Sequence, residues 1–171
     1  MNFNYNYFVR SYSVLTISTN GYVQFDSSNS IYALNYDLDT TLRGGIYYQN
    51  LNSQSNDFNS IKSDINRLNS GFNPTNLFRI TYDNVPDLST GTLLASFQII
   101  LAMSSSSSYV LLKYTSCLSN RTLSTPPGIY YTLSNGQQTS SLISNPCFAS
   151  NVNLIGTWVF DVTSGLVIFI S

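Results

Sequence analysis

Two aspartates one residue apart, Asp37-Leu38-Asp39, are the closest-spaced acidic pair in this 171-residue chain. On a strand, residues i and i+2 face the same side, so the two carboxylates would sit together while Leu38 turns inward. Like charges that close need water, a cation or a basic partner. The pair makes Asp37 and Asp39 weak metal candidates, since calcium takes carboxylate and carbonyl oxygens. The alternative is structural: hydrogen bonds to turn amides, with Arg43 as a partner across the loop. No Asp-rich loop of EF-hand spacing surrounds them, so the structural role is preferred and no metal or other cofactor is expected.

The remaining inventory of reactive groups is short. There is no His and no Glu, which removes Ser-His-Asp and Cys-His catalysis and His-ligated zinc. Two cysteines cannot build an all-thiolate zinc site. The lysines are Lys62 and Lys113, preceded three residues earlier by Asn59 and Val110, so the Ser-x-x-Lys arrangement is missing. Neither a Gly-Lys dipeptide nor Gly-x-Gly occurs, which removes the phosphate-cradling loop and the dinucleotide fingerprint. Acid–base chemistry would have to come from aspartates alone. No catalytic residue is assigned, and the protein is not expected to be an enzyme. Charged residues make up 9% of the chain and the net charge is −1, which leaves no electrostatic footprint for nucleic acid.

The elements that carry these residues read as mostly β. Ser, Asn and Thr account for more than a third of the chain, beside 13 Tyr and 10 Phe. Such residues favour caps, turns and strands over helix interiors. Strands are predicted over 14–18 and 22–25, joined at Asn20-Gly21, a hairpin signal of the type I′ kind. Others are predicted over 31–38, 46–48, 77–85, 93–103, 109–114, 128–133, 137–143 and 157–162. The stretch 93–103 is nearly all apolar, as expected of a strand buried on both faces. Asn135-Gly136 marks a second hairpin, and the five serines 104–108 form a low-complexity turn. One helix is predicted over 57–68, because Phe58, Ile61, Ile65 and Leu68 recur at helical spacing. Ser55 or Asn56 would cap it, Gly71 lies beyond its end, and Lys62, Asp64 and Arg67 would form a solvated face. The expected fold is an antiparallel β-sandwich with this one short amphipathic helix packed on it.

In this order of elements the chain resembles the NIDO domain, the extracellular module of nidogen, alpha-tectorin and mucin-4-like proteins. The resemblance runs through Asn20-Gly21-Tyr22-Val23-Gln24-Phe25, the segment 31–34, Asp37-Leu38-Asp39-Thr40 and Gly45-Ile46-Tyr47-Tyr48. It continues through Thr81-Tyr82-Asp83-Asn84-Val85, Phe97-Gln98-Ile99-Ile100-Leu101, the strand from Tyr109 to Tyr114, Ser150-Asn151 and Gly156-Thr157-Trp158-Val159-Phe160. Tyr82 stands where the family usually has Trp, and Leu34-Asn35-Tyr36 replaces a Pro-Phe-Trp-like stretch. The match spans about residues 3 to 162. A single domain over 1–162 is therefore expected, with 163–171 an apolar C-terminal strand or a truncated continuation.

The resemblance implies an extracellular, non-catalytic module acting in cell–matrix adhesion within a larger mosaic protein. Its partners would be matrix or cell-surface proteins, or glycans. Two further readings stay open: a structural spacer, and a carbohydrate-binding β-sandwich. In an extracellular setting Cys117 and Cys147 are expected to form a disulfide; a pair of free buried thiols is the alternative. Asn120-Arg121-Thr122 is an N-glycosylation sequon. The first residues lack the basic and apolar stretches of a signal peptide, so a secreted protein would make this chain a fragment or a domain of a longer one. The late run Leu166-Val167-Ile168-Phe169-Ile170 falls far short of the roughly 20 residues of a membrane span, and no membrane insertion is expected. Candidate binding loops are 26–30, 50–56 and 104–108.

Overall fold

A computed structural model describes residues 5–8, 10–92, 94–116, 125–133 and 135–164. Three antiparallel sheets form, one of two strands and two of five. The first strands, β1 (Tyr5–Tyr7) and β2 (Arg10–Tyr12), pair as a small hairpin that sequence reading did not anticipate. One five-stranded sheet comprises β3 (Thr16–Ile17), β4 (Tyr22–Gln24), β5 (Ser30–Tyr32), β10 (Gly128–Thr132) and β11 (Gln138–Leu142), in the order β11-β10-β5-β4-β3. The other comprises β6 (Gly45–Asn50), β7 (Asn76–Pro86), β8 (Leu94–Met103), β9 (Ser108–Ser116) and β12 (Thr157–Asp161), in the order β12-β9-β8-β7-β6. The helix α1 (Asn56–Asn66) lies between β6 and β7 in the chain.

The centre of the second sheet is buried on both faces, and alternation along its strands decides which side chain goes where. Ile80, Tyr82, Phe97, Ile99, Leu101, Val110, Leu112, Trp158 and Phe160 join Val23, Ile31, Ile129 and Tyr131 of the first sheet in the sandwich core. Their neighbours Leu77, Ile100, Ala102, Tyr109, Leu111 and Val159 point the other way and pack with Phe58, Ile61 and Ile65 of the helix. Double burial, expected for the apolar run over 93–103, holds for Ile99 to Ala102 of β8, while Ser96 and Gln98 stay half-exposed. The helix begins one residue earlier than predicted. Its cap is Ser55, whose Oγ accepts a hydrogen bond from Phe58 N at 3.2 Å. Its end is tightened by i→i−3 bonds from Arg67 to Asp64 and from Leu68 to Ile65, which leaves Leu68 packed on the cluster but outside the helix proper.

Asp64 departs from the sequence reading. It is buried rather than solvated, and its Oδ2 accepts from Lys113 Nζ of β9 at 2.8 Å, with Arg67 at 3.8 Å from the other oxygen. The pair fastens the helix to the sheet across an otherwise apolar contact. Two other predictions shift. The strand expected over 31–38 stops at Tyr32, and only Leu38 rejoins regular pairing, as a lone bridge to Asp87. The Asn20-Gly21 hairpin forms, but Gly21 (φ 86°) alone takes the left-handed region and Asn20 does not. Ser18 N bonds Tyr22 O and Gly21 N bonds Ser18 O, so the loop has three residues ending in a left-handed glycine rather than a two-residue type I′ turn. A side chain at Gly21 would also press within 2.8 Å of Leu34 Cβ and 3.0 Å of Phe97.

Tyrosine hydroxyls tie the layers together. Tyr82 donates to Ser18 O at 2.5 Å and Tyr114 to Ala33 O at 2.7 Å, each from the second sheet to the first. Tyr5 and Tyr7, on one face of β1, bond to opposite layers. Tyr5 reaches Tyr109 O of β9, and Tyr7 is within 3.1 Å of both Ser30 O and Tyr130 O. Phe8 stacks on Tyr131 at 3.7 Å and the Tyr7 ring meets Phe25 at a tilt, 4.6 Å away, so the N-terminal hairpin closes one end of the sandwich.

Two outcomes follow. Replacing Lys113 by Ala should cost about 2 kcal/mol in chemical denaturation, because the Asp64 carboxylate is left buried beside a poorly placed Arg67. The double change Asp64→Leu with Lys113→Met should cost less than that single change; equal or greater loss contradicts the buried-pair account. Alkaline pH tests the clamps. Burial raises the phenols of Tyr5, Tyr7, Tyr82 and Tyr114 above the ordinary value, whereas in the unfolded chain they ionise at about pH 10. Their contribution to stability is therefore complete below about pH 10 and is lost as the pH rises above it. Near-ultraviolet titration should show a group of tyrosines that ionise only with unfolding; all 13 titrating together in the folded protein would contradict it.

Candidate binding surface

The three loops proposed for binding differ in how far their polar groups are already spent. In 26–30, Asp26 Oδ1 accepts from Ser28 N, Asn29 N and Asn29 Nδ2 at 2.8–2.9 Å, and its Oδ2 takes Tyr12 OH at 2.8 Å. Burial raises the Asp26 carboxyl, but these donors outweigh it and hold it below the usual carboxylate range. Asn29 is buried and its Oδ1 takes Thr132 N. This loop is a brace between β4 and β10. In 50–56, Asn52 Oδ1 takes Gln54 N and Ser55 caps the helix, so it serves as the helix entry.

The serine turn is different. Ser104 Oγ receives Ser106 N and Ser107 N, and Ser104 N bonds Ser107 O at 2.8 Å. One serine thus shapes the turn, and the exposed Ser105 and Ser106 stand at its tip. The turn is a ridge between two clefts. One, of about 250 Å³, lies against the N-terminal hairpin and is lined by Asn6, Phe8, Arg10, Ser11, Ser105, Ser106, Ser107, Ser108 and Thr163. The other, of about 370 Å³, lies against the segment after α1 and is lined by Asn69, Ser70, Gly71, Phe72, Asn73, Thr75 and four serines of the turn. The walls are held firmly. Asn66 takes Gly71 N and donates to Phe72 O, Asn69 Nδ2 donates to Tyr109 OH at 2.5 Å, and the Phe72 ring meets Tyr109 edge-on at 4.6 Å. Burial, with help from Asp161, pushes the Tyr109 phenol up, so it stays neutral there.

Both linings offer hydroxyls and amides, with no carboxylate among them. The cation, Arg10, is engaged with Asp26 at 3.5 Å. Phe8 and Phe72 are each 4% exposed, so neither ring presents a stacking face. The arrangement can exchange neutral hydrogen bonds with a docked surface. Sequence reading named the serines of the turn but missed the walls, since segments 6–11, 69–75 and 163 meet only in the fold.

The paired aspartates accept hydrogen bonds from neighbouring residues. Leu38 is buried between them as expected. Asp37 Oδ1 accepts from Asn20 Nδ2 at 3.1 Å, and Asp39 Oδ1 accepts from Thr41 N and Oγ1 at 2.7 and 2.6 Å. Those bonds from Thr41 lower the Asp39 carboxyl below its ordinary value. The expected partner Arg43 reaches Gly91 O instead. Among the described residues no group of three metal-ligating side chains forms, and no helix is long and apolar enough to cross a membrane.

The family model of the nidogen-like domain, NIDO, matches residues 3–164. The chain belongs to the NIDO family. That family is an extracellular, non-catalytic module of mosaic proteins. No curated protein and no solved structure matches the chain. The NIDO motifs fall on the joints of the fold. Asp83 and Asn84 occupy a bulge where β7 shifts register against β8, between Tyr82 and Val85. Gly44 (φ 72°) lies so close to that bulge that a Cβ would be 2.4 Å from Asn84 O, which explains the glycine before Gly45-Ile46-Tyr47-Tyr48. Trp158 donates from Nε1 to Pro146 O at 3.0 Å.

Cys117 and Asn120 lie outside the described residues, as do 165–171, where a terminal strand was expected. Cys147 is half-buried in the turn after β11. That turn adjoins the end of β9: Tyr114 N bonds Gly156 O at 2.8 Å, and the Cβ position of Gly156 is 3.8 Å from Cys147 O. Cys117 follows Ser116, the last residue of β9, directly in the chain. The expected outcome is one Cys117–Cys147 bond, closing a loop of about 30 residues and contributing roughly 3–4 kcal/mol. Mass spectrometry of unreduced peptides from protein made in an oxidising compartment checks it; two alkylatable thiols would refute it.

Proposed function

We propose that this NIDO domain is an adhesion module, holding a matrix or cell-surface protein through the serine ridge and its two flanking clefts. The observation that carries the reading is the ridge itself: exposed hydroxyls at its tip, amide- and hydroxyl-lined hollows on both sides, and rigid walls behind them. Ser- and Asn-rich surfaces supply adaptable hydrogen bonds, as the loops of antibody paratopes do. A protein partner is favoured over a glycan because the cleft aromatics, Phe8 and Phe72, are buried and offer no ring to a sugar face. The low charge of the chain supports contact without long-range steering. Secretion or display at the cell surface, within a larger mosaic protein, is part of the same proposal.

Binding of the folded, oxidised domain to matrix proteins and to cells tests this. It should change little between low and high salt, since the clefts carry no unpaired charge. The double change Ser105→Arg with Ser106→Arg should abolish binding at an unchanged melting temperature. Binding that collapses with salt would contradict the proposed chemistry, and binding indifferent to the two arginines would contradict the proposed site. A folded domain that binds neither matrix nor cells would favour the spacer role.

A further inference from the structure

The second sheet has two outer edges, and they are finished differently. At β12, the loop residue Asn151 plays the part of a neighbouring strand: its Nδ2 donates to Val159 O at 2.6 Å and its Oδ1 accepts from Val159 N at 2.9 Å. The opposite edge, β6, has no such cover among the described residues. The bond from Leu51 N to Leu77 O fixes the phase of the ladder. With Asn50 opposite Phe78 and Gly45 opposite Asp83, Gly45, Tyr47 and Gln49 bond to β7, and Ile46, Tyr48 and Asn50 turn their N–H and C=O groups outward.

Exposed edges are normally protected by charge, proline, a bulge or shortness. Gly45-Ile46-Tyr47-Tyr48-Gln49-Asn50 has no charged residue, no proline and no register shift against β7. Its two tyrosines are about 60% exposed. The edges of the first sheet are weaker templates. β3 spans two residues, and β11 carries small hydroxyl side chains at its centre.

We propose that β6 is the seam of a symmetric homodimer, in which two copies pair antiparallel about an axis through Tyr48. The occupant is a second copy because the outward groups are self-complementary. With Tyr48 opposite Tyr48 of the second copy, Ile46 falls opposite Asn50 and Asn50 opposite Ile46. Each of these is then a pair that exchanges both N–H···O bonds. The strand is neutral, so pairing with itself sets no like charges opposite each other. Tyr48 already lies 6.0 Å from Phe78 of the paired strand β7, and its ring would meet its own symmetry mate as a cross-strand aromatic pair. The twofold closes the assembly at two copies, because each copy spends its open edge in making it. The second sheets of both copies become one continuous sheet, with the serine ridges left outside the seam.

Sedimentation velocity of the full chain across a dilution series tests this. The wild type should move between twice the chain mass and the chain mass as it is diluted. Tyr48→Pro removes an N–H that β7 does not use and is tolerated at an edge; Tyr48→Lys places two like charges opposite each other at the axis. Each should weaken association by about tenfold or more, with thermal melting of the monomer unchanged for Tyr48→Lys. A wild type that sediments as a single chain at every concentration would overturn the proposal, as would dimers that persist undiminished in either variant.

Discussion

The centre of the second sheet, Ile99 to Ala102 of β8 and Tyr109 to Leu112 of β9, has no face left for water, and the rest of the molecule follows from that constraint. Strands β7, β8 and β9 must be covered by the first sheet on one side and by α1 on the other, so neither layer is optional. Burial on both faces removes polar residues from the second half of β8 and places Ile99 and Leu101 in one cluster, Ile100 and Ala102 in the other. It also dictates how polar groups enter. Lys113, on the helix side of β9, is accommodated only because Asp64 descends from the helix to meet it at 2.8 Å.

Tyrosine solves the related problem of joining layers that share few backbone bonds. Its ring fills core volume and its hydroxyl reaches a carbonyl of the facing layer, as Tyr82 does at Ser18 and Tyr114 at Ala33. The N-terminal hairpin repeats the device with Tyr5 and Tyr7, one hydroxyl for each sheet. A tyrosine-rich composition that sequence alone could have assigned to sugar contacts is, at these positions, the internal bracing of the sandwich. Tyr47 and Tyr48, on the uncovered edge, stay exposed, and Tyr22, Tyr32 and Tyr130 form a half-exposed ring cluster on the first sheet.

The sequence was most informative where a period was strong. Phe58, Ile61 and Ile65 keep helical spacing because they meet a flat sheet, and the helix lies within two residues of its predicted span. The nearly all-apolar run of β8 announced the double burial of Ile99 to Ala102. The hairpins at Asn20-Gly21 and Asn135-Gly136 were legible, and in each the glycine takes positive φ. What could not be read was set by tertiary contact. Asp64 looks like an ordinary surface residue until Lys113 is known to lie beneath it. Leu34-Asn35-Tyr36 has strand-like composition, but Ala33 N and Leu34 N both turn to Gly21 O, which ends the pairing of β5. The hairpin β1–β2 was signalled only by Tyr5-Asn6-Tyr7, too short a period to weigh. The clefts beside the serine turn draw on segments a hundred residues apart, and no local pattern encodes that meeting.

A sheet buried on both faces at its centre gives the domain a stiff frame behind the polar turn at its end. Native-state hydrogen exchange resolved by residue tests this division most directly. The amides of Ile99, Ile100, Leu111 and Leu112 should exchange only through global unfolding, and those of Ser105 and Ser106 through local opening of far lower free energy. The account is contradicted if the slowest exchange lies in the first sheet or in α1, or if β8 and β9 open before the layers that cover them.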